Sequence, residues 1–191
     1  MLNIHTGELM KKYMLIIIVI LAVIFVSGCI DDSNNTNTAK NDTSPLSLAK
    51  NGVLIKYPGN WVVANSNSND SIVAIADPNF KDPSTGYTNV NVNIERRTLP
   101  TSLNTYFNQT YTKLFSDSDI TPIAQGSVAF GPHTALESLY TENSNGTIKQ
   151  HRALWIENNN EVYVILCTAP QDEFQNQIKN FDFILSNFKI T

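Results

Sequence analysis

Asn89-Val90-Asn91-Val92-Asn93-Ile94-Glu95 decides the fold class. Apolar and polar residues alternate without a break. A period of two predicts an antiparallel strand, with Val90, Val92 and Ile94 against a core and the asparagines and Glu95 toward water. Just downstream the period changes. Leu103, Phe107, Tyr111 and Leu114 recur at helical spacing, which predicts an amphipathic helix after Pro100 with Thr101 or Ser102 as its cap.

The same reading extends in both directions. Gly52-Val53-Leu54-Ile55-Lys56-Tyr57 reads as a strand stopped by Pro58-Gly59, and Ser71 to Ala76 as another ended by Asp77-Pro78. A meander follows: Pro122 to Phe130, Ala135 to Glu142, Thr147 to Glu157 and Glu161 to Thr168. Asn145-Gly146 and Asn158-Asn159-Asn160 supply turns, since Asn and Gly tolerate positive dihedrals. Phe174, Ile178, Phe181 and Leu185 mark a closing helix, with Thr168 or Gln171 as its cap and Phe188 just past its end. Strands of period two with two one-faced helices predict an α+β domain, a mainly antiparallel β-sheet with helices packed on it.

Ahead of the domain stands a leader. Lys11-Lys12 precede an apolar run from Met14 to Val26, and Ser27-Gly28-Cys29 follows. A basic start, a short apolar stretch and small residues before a cysteine are the layout of a lipoprotein signal peptide. The expected organisation is a signal peptide over 1–28 with Met10 as the natural start, a polar linker over 29–47 with Cys29 as the lipid attachment, and a domain over 48–191. An uncleaved anchor is the competing reading, although the run is short for a span of about 20 residues. Both readings place the domain on the extracytoplasmic face of the cell membrane. The linker, rich in Asp, Ser, Asn and Thr, lacks the apolar surface to form a core.

The chain has 191 residues, 16% of them charged, with a formal charge of -4. That balance argues against nucleic acid as a partner. Cys167 lies in an apolar strand and reads as a small buried hydrophobe. His5, His133 and His151 are the only histidines, and neither HExxH nor CxxC occurs, so no metal site and no cofactor are expected. Asp77, Asp82, Asp117 and Asp119 read as turn carboxylates. There is no GxSxG, SxxK or phosphate loop, and no catalytic residue is assigned. The candidate ligand-binding residues are Arg96, at the rim of the core face and able to pair with an anion, His151 and Arg152, which point to opposite faces of one strand, and Trp61. Trp61 and Trp155 also read as core anchors. Tyr57, Trp61, Tyr87 and Tyr106 are the residues that would form an aromatic pocket if they met.

The opening Gly52-Val53-Leu54-Ile55-Lys56-Tyr57-Pro58-Gly59-Asn60-Trp61 resembles the start of the PsbP-like (PsbP/Mog-type) superfamily. The end is similar too: strand Val162–Thr168, then Phe174, then Ile184-Leu185-Ser186-Asn187-Phe188-Lys189. The resemblance covers about 48–191 and rests on core and turn residues, so it implies a fold, an α-β-α sandwich, more than a function. The superfamily includes a photosystem II extrinsic subunit, a Ran-binding import factor and lipid-anchored mycobacterial proteins. No metal or partner residue of the photosynthetic members has a matching position here. The Asn- and Ile-rich composition suggests an AT-rich prokaryote such as a methanogenic archaeon.

These readings lead to one expectation and two alternatives. The expectation is a membrane-anchored extracytoplasmic lipoprotein that is a non-catalytic binding or accessory module for a surface protein or small ligand. The alternatives are a small-ligand carrier with a pocket between helix and sheet, and a hydrolase with a dispersed site near Arg96, His151 or Arg152.

Overall fold

A computed structural model describes Val26, Ser27 and residues 44–191 apart from Asn145. Cys29, Met10, the body of the leader and most of the linker lie outside the described residues. The strands are β1 (Val26–Ser27), β2 (Leu46–Lys50), β3 (Val53–Tyr57), β4 (Val62–Ser66), β5 (Ser71–Ala76), β6 (Asn91–Thr98), β7 (Ile120–Phe130), β8 (His133–Ser144), β9 (Thr147–Asn158), β10 (Glu161–Pro170) and β11 (Lys189–Ile190). The helices are α1 (Leu103–Leu114) and α2 (Gln171–Ser186).

Eight strands form one antiparallel sheet in the order β1-β4-β5-β6-β10-β9-β8-β7. A small sheet, β11-β3-β2, stands apart from it. One face of the large sheet presents Val73, Ile75, Val92, Ile94, Leu154, Ile156 and Ile165. Against these pack Phe174, Phe181, Ile184 and Leu185 of α2, and Val53 and Ile55 of the small sheet. The other face presents Trp155, Val162, Val164 and Leu166 to Leu103, Phe107 and Tyr111 of α1. The result is an α+β sandwich with the sheet in the middle, as the two periodicities require.

That second cover corrects the reading of β6. Asn91, Asn93 and Glu95 do not face water; they are 4%, 1% and 2% exposed. Burial of such groups is tolerable only if they are bonded. Ser71 Oγ donates to Asn93 Oδ1 at 2.6 Å, Asn93 Nδ2 donates to Glu95 Oε1 at 3.1 Å, and Glu95 pairs with Arg97. Asn91 Nδ2 donates to the Thr88 carbonyl at 2.9 Å.

Local chemistry sets the ends of the elements. Ser102 caps α1, accepting from the Thr105 amide at 3.3 Å. Neither Thr168 nor Gln171 caps α2. Pro170 holds that position with no side-chain bond, and Asp172 and Glu173 in the first turn face the positive end of the helix dipole. The chain reaches β3 through a hairpin from β2, a strand that opens at Leu46, inside the stretch read as linker. Its turn is Asn51-Gly52, with φ of 52° and 82°, the dihedral signs of a type I′ hairpin. Asn159 and Asn160, at 51° and 61°, turn β9 into β10 in the same way.

Candidate functional site

The β7–β8 turn, the middle of β9 and the C-terminal end of α2 enclose a groove of about 700 Å³. Its floor and walls include Phe130, Leu154, Ile156, Leu185 and Phe188. The groove exists because α2 ends early. Asn187 Nδ2 donates to the Phe183 carbonyl at 2.8 Å and closes the helix; the chain then turns through Phe188 into β11 beside β3. The β7–β8 hairpin extends past this end and forms the far wall.

Arg152 is the part-buried cation of the groove, whose polar lining also includes His133, Asp182, Ser186 and Lys189. It points to the α2 face, as its parity requires. Its Nε donates to Glu137 Oε1 at 2.6 Å and its Nη1 to Asp182 Oδ1 at 2.7 Å. Burial works against its charge, but the bonds to Glu137 and Asp182 outweigh it and hold its pKa above the ordinary arginine value. A guanidinium held by two carboxylates is fixed in direction. It presents a rigid polar edge beside an apolar floor, an arrangement typical of ligand sites.

The other sequence candidates do not join it. His151 faces α1, is 1% exposed, and stacks on Tyr140 at 4.8 Å. Its Nδ1 is 3.0 Å from Thr168 Oγ1. Its Nε2 lies 3.3 Å from Glu142 Oε2. Burial lowers its pKa, with Glu142 opposing, so the imidazole is kept neutral. A hydroxyl, an imidazole and a carboxylate in a row have the makings of a nucleophile and base, but Thr168 is 3% exposed and sealed from substrate. Arg96 lies near the C-terminal end of β6 on the α2 side, where it pairs with Glu161 at 3.6 Å and reaches the Asn51 carbonyl at 3.4 Å. It clasps the β2–β3 turn. Trp61 is 1% exposed and meets Phe181 edge-on at 6.2 Å; it is a core anchor, as Trp155 is on the opposite face.

Nor do the four aromatic residues meet. Trp61 packs with α2 while Tyr106 packs on Trp155 under α1, 5.4 Å away, so the sheet separates them. Asp82 is a turn carboxylate: its Oδ1 accepts from the Ser84 amide and hydroxyl at 2.8 and 2.6 Å, bonds that lower its pKa. Asp77 and Asp117 cap turns through the amides of Asn79 and Asp119. Among the described residues no group of three or more His, Cys, Asp or Glu is placed to hold a metal ion. No described helix is long and apolar enough to cross a membrane.

Of the residues singled out in the sequence, Arg152 lines this groove; its partners Glu137 and Asp182 and the apolar floor were not anticipated. The available signals were Gly131-Pro132, which lets the hairpin turn beyond the helix end, and Phe188, an aromatic just past that end.

Neither a protein-family model nor a curated protein matches this chain. Solved structures do. The cyanobacterial PsbP (CyanoP) of Synechocystis sp. PCC 6803 superposes with a TM-score of 0.58 at 13% identity, covering 82% of this chain and 99% of that one. LpqN of Mycobacterium tuberculosis, described as involved in cell envelope biogenesis, superposes with a TM-score of 0.53 at 15% identity, covering 79% and 86%. At such identities the likeness is one of backbone architecture, and the chain has a PsbP-like α+β fold.

Proposed function

We propose that this chain is a non-catalytic binding module, held at the extracytoplasmic face of the membrane through Cys29, which takes its partner in the groove beside Arg152. The observation that carries the reading is the groove: an apolar floor of Phe130, Leu154, Ile156, Leu185 and Phe188 with one rigidly bonded guanidinium at its edge. The tether rests on the residues of the leader, Met14 to Cys29. The fold shared with LpqN, a protein of envelope biogenesis, supports an extracytoplasmic setting by analogy.

Capture from native membranes tests the reading. Ser186 lines the groove and is exposed, so Ser186→Trp fills the groove without entering the core. Wild type retaining a protein or ligand that Ser186→Trp releases is the expected result. Equal capture by both, or none by either, counts against the groove. For the tether, detergent partitioning of wild type is compared with Cys29→Ser. Loss of the lipid-dependent fraction is expected; unchanged partitioning with an uncleaved leader favours the plain anchor.

A second reading, a carrier of small apolar molecules, draws on the volume. About 700 Å³ lies inside the ~300–1,000 Å³ range of small-molecule sites. Native mass spectrometry of protein taken from membranes separates the two readings. A co-purifying small molecule favours the carrier, and a bare mass beside a captured protein favours the module.

A further inference from the structure

β7 is the edge of the large sheet, bonded to β8 on one side and to no described strand on the other. It runs for 11 residues, Ile120–Phe130, and every residue from Thr121 to Ser127 is exposed. No charged residue occurs in it. Edge strands ordinarily carry charge, proline or a bulge against unwanted pairing. Here Pro122 and the irregularity between Pro122 and Ala124 guard the first third. Ala124 to Phe130 is left unguarded.

That unguarded stretch is complementary to itself. Turned antiparallel about Ser127, it sets Gly126 against Val128, Ala124 against Phe130, and Gln125 against Ala129. Each small side chain meets a large one. Ala124, Gly126, Val128 and Phe130 share the α2 face, while Gln125, Ser127 and Ala129 share the α1 face, so every pair also lies on one side of the sheet. Cross-strand pairs of this kind are the unit of sheet stabilisation, and an aromatic opposite a small residue covers the gap. A two-fold through one residue closes an antiparallel ladder whether that residue's backbone points in or out. Ile123, 52% exposed, then comes down near the partner's Gly131 and Pro132.

We propose that β7 is a homodimer edge, where a second copy of this chain adds its own β7 antiparallel about Ser127 and joins the two large sheets into one. A second copy fits better than an arbitrary strand for two reasons. β7 carries no charged residue, so two copies set no like charges opposite one another within the paired stretch. The isologous contact also uses up both open edges at once and closes, so it does not propagate. The paired stretch is about 24 Å long at ~3.4 Å per residue. It therefore lies at the small end of interfaces, where complexes are weak and transient, and association is expected to depend on concentration between about 0.01 and 1 mM.

The test is sedimentation velocity of the whole chain, purified from membranes in detergent, across that range. Wild type is expected to shift from one copy to two. Ser127 is exposed, so Ser127→Lys and Ser127→Asp leave the core intact; unchanged circular dichroism and melting confirm it for each. Each variant alone places like charges on the two-fold and is expected to remain single, with at least a tenfold loss of association. Mixed in equal amounts, they are expected to pair again. Ile148→Lys, at an exposed apolar position outside β7, is expected to dimerise like wild type. A single copy at every wild-type concentration overturns the proposal. So does dimer that persists in either Ser127 variant, or a mixture that fails to recover.

Discussion

Arg97→Met tests how the second face of the sheet tolerates charge. Glu95 is 2% exposed beneath α1 and pairs with Arg97, whose Nε also lies 3.0 Å from Asp70 Oδ2. Burial opposes the arginine's charge, but Glu95, Tyr106 and Asp70 overcome it and raise its pKa. Methionine keeps the length of the side chain and removes the charge. It leaves a buried carboxylate with only the Asn93 amide, 3.1 Å away, as a partner. Removing one member of a buried pair costs about 3–5 kcal/mol. The remaining amide bond and the half-open Asp70 place this case near the lower end, about 3 kcal/mol, or a fall in Tm of about 6–12 °C for a domain of this size. The double change Glu95→Gln with Arg97→Met removes both charges and keeps an acceptor for Asn93. It is expected to return to within about 1 kcal/mol of wild type. The assay is urea unfolding with the m-value compared across variants. A cost below about 1 kcal/mol for Arg97→Met at an unchanged m-value refutes the reasoning, as does a double variant no better than the single.

Other consequences follow from buried groups and turns. His151 has its pKa lowered by burial, so on acidification the unfolded chain takes the proton first, and stability drops as pH falls below about 6.5. In His151→Gln that part of the slope, at most about 1.4 kcal/mol per pH unit, disappears from urea midpoints measured between pH 7 and 5. Cys167 is fully buried and its thiol is pushed up to about 12; it should resist alkylation at pH 8 in the folded chain and react on unfolding, and rapid labelling of folded protein contradicts the burial. Gly52→Ala places a side chain at φ of 82° with its Cβ 3.4 Å from Arg96 Nη1. A loss of about 1–2 kcal/mol in urea unfolding is expected, and no loss argues against the positive-φ turn.

Most of the large sheet and both helices were legible because each shows its own period, whereas β4 and β11 were not read as strands. β6, α1 and α2 fall where alternation or helical spacing put them, and Ser102 caps α1 as its position suggests. What the pattern of β6 left open is what covers its polar face. A strand of period two reads as wet on one side, yet here the amides and carboxylate of that side bond to one another beneath α1. β2 escaped notice because Leu46–Lys50 is mostly exposed and looks like the polar stretch before it; the turn Asn51-Gly52 was its clearer mark. Of the candidate residues, Arg152 lines the groove while Arg96, His151 and Trp61 each hold the scaffold. Parity tells which face a side chain takes, and it placed His151 and Arg152 on opposite faces correctly. It does not tell where a helix ends over that face. The groove depends on Phe130, Arg152 and Leu185 meeting at the end of α2, and these are far apart in the chain.

The most direct test of the binding site is hydrogen exchange across the whole chain, with and without the material that it captures from native membranes. Protection gained at residues 128–133 and 182–190, and lost again in Ser186→Trp, is the predicted result. Protection confined to the α1 face, or none at saturation, contradicts a module that binds through the groove.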